Sequence, residues 1–303
     1  MLVSAIEREL KISAGYIEAI ISSSDNSYKE YHIQKKNGGT RKIEHPARKL
    51  KLLQRWVARK VFSRLPIHPC ASAYIKGRNI RENALAHAGH KFLLKLDFQE
   101  FFPSLKDGDV DELLRKHIEV ISGVLAESDF QKVCRIVCRR GSLVIGAPSS
   151  PIVSNTLMYE FDSAVWKFCK EAGVSYTRYA DDLTFSTSES DVLSGVHQRV
   201  KSIIEGLGSP NLSFNSDKTH HSSTKHRMRV TGLVLTSQGG VSVGRLQKRR
   251  IRSMVYRAKQ GGITQEELNY LQGYLNFIAR IEPHYIESLR LKYDSLFVDG
   301  LRK

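Results

Sequence analysis

A chain of 303 residues, 41% hydrophobic and 26% charged, is long enough for a large core shared by two or three lobes, and no apolar run in it reaches the length that a bilayer span requires. Its four cysteines, Cys70, Cys134, Cys138 and Cys169, exclude a disulfide framework. The one-turn spacing of Cys134 and Cys138 lacks the second pair of a zinc site, so reduced core thiols in a cytosolic protein are expected. A net charge of +16 favours a polyanionic partner, either nucleic acid or an anionic membrane face.

In chain order, residues 1–25 predict a helical extension; Glu7 and Glu9 arrive too early for the apolar centre of a secretion signal. "KKNGGTRKIEHP" (35–46) has the Gly-Gly turn of a basic hairpin. "ARKLKLLQRWVARKVFSRL" (47–65) predicts an amphipathic helix with Leu50, Leu53, Trp56, Val57 and Val61 on one side. "KFLLKLDF" (91–98) reads as a strand with Phe92, Leu94 and Leu96 on one face and Lys95 and Asp97 on the other. "PSLKDGDVDELLRKHI" opens another helix, and "PIVSNTLMYEFDSAVWKFC" (151–169) is helical with Leu157, Phe161, Ala164, Val165 and Phe168 in register. "VSYTRYADDLTFS" (174–186) predicts strand, turn, strand; "VTGLVLTSQGGVSVGR" (230–245) predicts a second hairpin, followed by three helices.

The first of those closing helices is "RLQKRRIRSMVYRAK" (245–259), with Arg245, Lys248, Arg249, Arg250, Arg252, Arg257 and Lys259 and no acid. Ile251, Met254 and Val255 give it only a narrow apolar stripe. A membrane-surface helix wants a broader one, so nucleic acid is the expected partner. No repeat or low-complexity linker divides the chain, and the mixture of elements predicts an α+β protein with a helical C-terminal lobe.

Asp181 and Asp182, side by side in "TRYADDLTFS", are by themselves ordinary turn residues. Asp97 ends an apolar strand, where a lone carboxylate is costly unless it is solvated or paired. If that strand lies beside the "YADD" hairpin, Asp97 and Asp181 converge with Asp182 close by. Three such carboxylates repel and raise one another's pKa, which a pair of divalent cations relieves. Mg²⁺ takes oxygen ligands and keeps company with phosphates. Two ions about 4 Å apart can activate a sugar hydroxyl, stabilise a pentacoordinate phosphorus and hold a leaving pyrophosphate.

"YADD" after a strand, with "LDFQEFF" earlier and "GAPSSP" between them, resembles the palm motifs of reverse transcriptases, and the resemblance extends from about Thr40 to the C-terminal helices. "NALAH" (83–87) and "VTGLV" (230–234) match the Asn-Ala-x-x-His and Val-Thr-Gly motifs of the bacterial retron enzymes. The resemblance implies an α+β right-hand polymerase fold: fingers, a palm of antiparallel sheet plus helices, and a helical thumb. It divides the chain into an N-terminal helical extension (1–25), fingers (26–90), a first part of the palm (91–105) and a fingers/palm helical insertion (106–145). The palm with its "YADD" and primer-grip hairpins (146–240) and the thumb (241–303) complete it.

The implied activity is that of an RNA-directed DNA polymerase using two Mg²⁺ ions, with Mn²⁺ as a substitute, and deoxynucleoside triphosphates. The matching positions make Asp97, Asp181 and Asp182 the catalytic, metal-binding carboxylates, with the backbone carbonyl of Phe98 as an extra ligand. Phe102 matches the aromatic steric gate whose ring leaves no room for a 2′-hydroxyl. Arg41 matches the fingers arginine along the triphosphate, with Lys36 or its neighbour Lys35 as a second cation. Gly146 permits close backbone approach to the nucleotide, and Lys218 matches a lysine proposed to protonate the pyrophosphate. Val230, Thr231 and Gly232 occupy the primer-grip position, and Arg245, Lys248, Arg249 and Arg252 suit the backbone of an A-form hybrid duplex. His87 by itself reads as a satisfied structural histidine; the motif match implies that Asn83 and His87 engage the family's RNA. One position departs from the family: Ile145 stands where most relatives carry Gln, and it can make no side-chain hydrogen bond.

Retron enzymes act in the bacterial cytoplasm on a structured non-coding RNA encoded beside them. They prime from the 2′-hydroxyl of a guanosine and make single-stranded DNA that stays joined to the RNA (msDNA). With an effector protein they act in antiphage defence. The alternatives are another bacterial reverse transcriptase, of group II intron or diversity-generating type, and a non-catalytic RNA-binding scaffold. A degenerate scaffold would be expected to lose carboxylates, and all three are present.

Overall fold

Two short helices open the chain and do not stand apart from it. In the computed structural model, which describes residues 1–34 and 38–302, α1 (Leu2–Leu10) and α2 (Ala14–Ser22) bury Leu2, Ile6, Ile17 and Ile21 in the main core. The amide of Leu2 donates to Asp129 at 3.0 Å. A two-stranded antiparallel hairpin follows, β1 (Tyr28–Gln34) and β2 (Thr40–Pro46), with Ile33 opposite Arg41. The helix α3 (Arg48–Lys60) turns the predicted stripe of Leu50, Leu53, Trp56 and Val57 inward, and a short helix α4 (Ile80–Leu85) is capped by Asn79.

The strand β3 (Phe92–Asp97) lies at the centre of the molecule and leads into α5 (Phe101–Ser104). The helices α6 (Asp107–Lys116), α7 (Ile118–Ile121) and α8 (Phe130–Val137) follow, α8 packing against α2, α3 and α6. Where one helix is expected over 151–169, the chain makes two, α9 (Ser150–Leu157) and α10 (Tyr159–Glu171), broken at Met158. Both still present Leu157, Phe161 and Val165 to the core, so the periodicity survives the break.

β4 (Ser175–Tyr179) and β5 (Asp182–Thr187) form the expected hairpin. They join β3 and the later β6 (His220–Ser223) in a four-stranded antiparallel sheet of order β4-β5-β3-β6. The helix α11 (Val192–Leu207) packs on β3 and β5 through Leu193, Val196 and Val200. Leu94, Leu96, Leu183 and Phe185 of the sheet are fully buried.

Beyond the sheet lies a second core. The short strands β7 (Arg229–Val230), β8 (Leu233–Leu235) and β9 (Val241–Ser242) form three strands rather than a simple hairpin. Four helices finish the chain in place of the expected three: α12 (Arg245–Lys259), α13 (Gln265–Ile281), α14 (Pro283–Tyr293) and α15 (Ser295–Gly300). The extra break falls at Asp294, whose φ of 85° leaves the helical region and whose carboxylate caps α15 by accepting from the Phe297 amide at 3.1 Å. All four cysteines are buried free thiols. Among the described residues no helix is long and apolar enough to cross a membrane.

Candidate active site

Antiparallel pairing of β3 with β5 places Asp97 opposite Asp182, with Leu96 opposite Leu183. Cross-strand partners project to the same face, so the carboxylate at the end of β3 meets the one that opens β5. Asp181 stands in the turn just before, and its carbonyl accepts the Phe98 amide at 3.1 Å. The sequence expectation paired Asp97 foremost with Asp181; the register makes Asp182 its direct partner, with Asp181 beside them.

The three acids gather at a buried place. Asp97 is only 6% exposed. Burial, and then the charge of Asp97, raises the pKa of Asp181 above its ordinary value. Asp182 is pushed up to about 6 by burial and by Asp181 and Asp97, against the favourable field of Lys95. Such a site is short of positive charge. One cation has moved in: the ammonium of Lys218, from the turn after α11, sits 2.5 Å from Asp97 Oδ1.

Among the described residues no group of three or more His, Cys, Asp or Glu side chains stands arranged to hold a metal ion by itself. Mg²⁺ does not need one, because it binds through one or two carboxylates and completes its shell with water and substrate phosphate. An all-oxygen donor set whose ionised form is disfavoured fits such an ion.

The turn that carries Asp181 and Asp182 is held from beneath by an ion pair. Arg178 and Asp162 are both fully buried and meet bidentately, Nε to Oδ1 at 2.9 Å and Nη2 to Oδ2 at 2.7 Å. Arg178 Nη1 also donates to the carbonyl of Ala180 at 3.1 Å and to Asn155 Oδ1 at 3.2 Å. Tyr176 donates its hydroxyl to Asp162 at 2.9 Å. Burial alone would depress the Arg178 pKa, but the Asp162 carboxylate outweighs it and holds the guanidinium charged. Ala180 has a φ of 59°, a left-handed conformation that a non-glycine residue adopts only when its surroundings impose it. The bond from Arg178 is one of those constraints.

The carbonyl of Ile145 accepts the Glu44 amide at 2.8 Å, docking β2 and its exposed Arg41 against the segment before α9. Gly146 has a φ of 121°, and a Cβ there would stand 2.8 Å from the Glu44 carbonyl. The close approach that this glycine permits is therefore to β2. Arg139, with both Glu30 and Glu44 as ion-pair partners, clamps the two strands of the hairpin to the end of α8. The charges of Lys218 and Arg41 oppose the rise at Asp181. Lys36, and Lys35 with it, lies outside the described residues.

Phe102 is half-buried and packs on Phe101, with ring centroids 5.4 Å apart. Phe101 is core, stacked on Phe98. Three expected nucleic-acid contacts are interior instead. His87 is 0% exposed, with Nδ1 bonded to Ser186 and Nε2 to Thr177, both at 2.7 Å. Burial holds its pKa down at about 3, so it is neutral. Asn83 is buried, accepting from Ser72 at 2.8 Å, and its Nδ2 has no partner among the described residues. Val230 is core. These side chains shape the interior and cannot reach a duplex from where they stand.

Thr231 and Gly232, with φ of 45° and 85°, form the tight turn between β7 and β8. That turn borders a groove of about 690 Å³ lined by Arg227, Arg229, Gly232, Arg250 and Tyr270. Along α12, Arg245, Arg249 and Arg252 are exposed. Lys248 is not a free cation: it is ion-paired with Glu282.

An antiparallel sheet that presents buried carboxylates beneath a basic hairpin, next to a helical lobe with an arginine-lined groove, defines a right-hand nucleic-acid polymerase. Over 90% of the chain the fold superposes on an apo telomerase of Candida tropicalis with a TM-score of 0.54 at 14% identity, and on a telomerase of Candida albicans at 0.52 and 14% over 91%. The chain spans 58% and 59% of those two chains, and the likeness is one of fold.

The family model described as reverse transcriptase (RNA-dependent DNA polymerase) matches residues 33–235. The chain is 38% identical to the retron Ec83 reverse transcriptase of Escherichia coli over 284 residues, 91% of this chain and 90% of that one. It is 32% identical to the retron Ec86 reverse transcriptase of the same organism over 95% of this chain and 89% of that one. The chain belongs to the reverse transcriptase family, among the retron reverse transcriptases, and is an RNA-directed DNA polymerase.

Sequence reasoning found the acids but missed the groups that position them. Arg178 was readable as a charge within an apolar strand, and Asp162 as an acid beside Phe161 on a core-facing helix. Nothing in the sequence showed that the two were partners.

Proposed function

We propose that the chain is a retron-type enzyme: it binds a cognate structured RNA, primes from an RNA 2′-hydroxyl and copies part of that RNA into covalently attached single-stranded DNA. The observation that carries the reading is the cluster of Asp97, Asp181 and Asp182, in which Asp181 and Asp182 are raised in pKa and Asp97 is paired with Lys218, in a chain of the retron branch. In the proposed site these three carboxylates and the Phe98 carbonyl hold two Mg²⁺ ions. When bound, the ions supply charge neutralisation for the attacking hydroxyl and the pyrophosphate leaving group.

The rest is the work of the chain itself. Arg41 binds the triphosphate of the incoming deoxynucleotide. Phe102 sets its half-buried ring where a 2′-hydroxyl would have to go. Lys218, which pairs with Asp97, would give a proton to the departing pyrophosphate. Thr231 and Gly232 contact the primer strand, and Arg245, Arg249 and Arg252 hold the hybrid duplex by its phosphates. A protein effector acting with the RNA-linked DNA in antiphage defence completes the proposal.

The test is on nucleic acid that co-purifies with the protein from cells expressing the neighbouring RNA, run before and after RNase beside Asp181→Asn/Asp182→Asn. The expected result is a DNA that shortens to a discrete species with RNase and is absent from the variant. DNA with no RNase-sensitive linkage refutes retron-type priming, and RNA alone from both proteins refutes the catalytic assignment.

A further inference from the structure

Tyr74 takes no part in the fold that its surroundings explain. Its ring is 54% exposed, and its φ is 63°, a left-handed conformation that costs a residue with a Cβ of order 1 kcal/mol. A loop residue on the surface ordinarily relaxes from such strain. Here the backbone on its N-terminal side is fixed by buried groups. Ala71 makes a parallel bridge with Arg178, the Arg178 amide donates to the Cys70 carbonyl at 3.0 Å, and the Ser72 amide donates to the Arg178 carbonyl at 2.9 Å. The Asn155 side-chain Nδ2 then donates to the carbonyl of Ala73 at 2.9 Å.

Two consequences follow. The single bridge between Ala71 and Arg178 sets the segment that leads into Tyr74 beside the end of β4, next to the catalytic turn. Asn155 also accepts from Arg178, and Arg178 holds the Ala180 carbonyl. One buried network therefore fixes the catalytic turn and the base of Tyr74 together. The groups whose fields reach the phenol are Asp181, Tyr179 and Arg41. No hydrogen bond from its hydroxyl is present among the described residues. An exposed, strained phenol, joined through this network to the metal-binding turn and within the fields of Asp181 and Arg41, is free to meet a ligand bound there.

We propose that Tyr74 is a substrate-contacting residue, its hydroxyl donating a hydrogen bond to the β- or γ-phosphate of the deoxynucleotide held between Arg41 and Asp181. The assignment rests on the nucleotide site proposed above. Charge-assisted bonds of this kind are among the stronger ones and correspond to roughly tenfold or more in affinity. A contact to phosphates that are already charged in the bound nucleotide acts first on substrate binding, and its main effect is expected on KM.

The test is steady-state extension of a primed RNA template by wild type, Tyr74→Phe and Tyr74→Gly, the last of which relieves the left-handed strain. The expected result for Tyr74→Phe is a KM for deoxynucleotide raised roughly tenfold, with kcat and melting temperature little changed. Pyrophosphate, which carries the same two phosphates, should inhibit more weakly by a similar factor. An unchanged KM in Tyr74→Phe overturns the proposal, whether or not Tyr74→Gly is impaired, because the hydroxyl is then idle. A raised KM with undiminished pyrophosphate inhibition also overturns it, because the contact then lies elsewhere on the nucleotide. Asp181→Asn, assayed alongside, tests the site separately: synthesis by that variant refutes the site itself, independently of Tyr74.

Discussion

The carboxylate cluster is a place where the fold gives up stability for chemistry, and Asp182 lets that loss be measured. Replacing Asp182 by Asn keeps the shape and removes one charge. In the folded protein its pKa is raised from 3.8 to about 6; at about 1.36 kcal/mol per pH unit, ionising it costs about 3 kcal/mol. Because Asp181 and Asp97 share the repulsion, a gain of about 2–3 kcal/mol is expected from the substitution.

The sign follows from the folded pKa lying above the unfolded one. The cost is fully present above about pH 6, falls to about half at pH 5, and is gone below about 3.8. In EDTA at pH 8, Asp182→Asn should therefore melt higher than wild type, by about 4–6 °C at about 2 °C per kcal/mol for a chain of this length. The gap should narrow by half at pH 5. Added Mg²⁺ should raise the melting temperature of wild type more than that of the variant, and primer extension by the variant should be abolished. A variant no more stable than wild type in EDTA at pH 8, or a gap indifferent to pH, would refute the reasoning.

Other outcomes follow from the same structure. His87, neutral because burial holds its pKa at about 3, contributes stability that is whole above pH 6.5 and lost below it at about 1.4 kcal/mol per pH unit; urea midpoints at pH 7.5 and 5.5 should show that loss in wild type and not in His87→Gln. Phe102→Ala should relax discrimination against ribonucleotides by at least about tenfold, read as the ratio of kcat/KM for the two sugars; an unchanged ratio returns Phe102 to the core. Arg178→Met strands the buried Asp162 and should cost about 3–5 kcal/mol in denaturant unfolding. Adding Asp162→Leu should recover much of that stability but not the polymerase activity, since the Ala180 carbonyl stays unheld. Replacing Arg249 and Arg252 by Ala should weaken duplex binding and lower the slope of log affinity against log salt by about 1–2, without altering sequence preference.

What the sequence disclosed and what it withheld divide along a physical line. Period-2 alternation in 91–98 and 174–186 and the "YADD" turn made the sheet and its acids legible, because strand faces follow from spacing alone. The helical periodicity of 151–169 and 245–259 was likewise plain, but the breaks at Met158 and Asp294 were not, since a helix stop without Gly or Pro leaves little local trace. His87 and Asn83, expected from the motif match to engage RNA, lie buried. A polar residue announces chemistry and not depth, and only the cross-strand arrival of Ser186 and Thr177 shows His87 to be satisfied inside. Arg178 and Asp162 escaped for the same reason, being separated in sequence and joined only by the packing of α10 on β4.

Ile145 shows how far the departure from the family pattern reaches. Its side chain offers no hydrogen bond, yet its carbonyl takes the Glu44 amide, and the next residue must be glycine because a Cβ would strike the Glu44 carbonyl at 2.8 Å. Both interactions belong to the backbone and are indifferent to what residue 145 carries. They fix β2, Arg139 fixes β2 to β1 through Glu44 and Glu30, and β2 carries Arg41. The loss of the amide side chain therefore leaves the hairpin and its arginine in place. Any consequence falls on how the sugar and base are seated rather than on whether the triphosphate is bound. In that arrangement Ile145→Gln should alter nucleotide selectivity, measured as the ratio of correct to mispaired incorporation, while leaving pyrophosphate inhibition as it was. A change in pyrophosphate inhibition would mean that residue 145 acts through the hairpin after all.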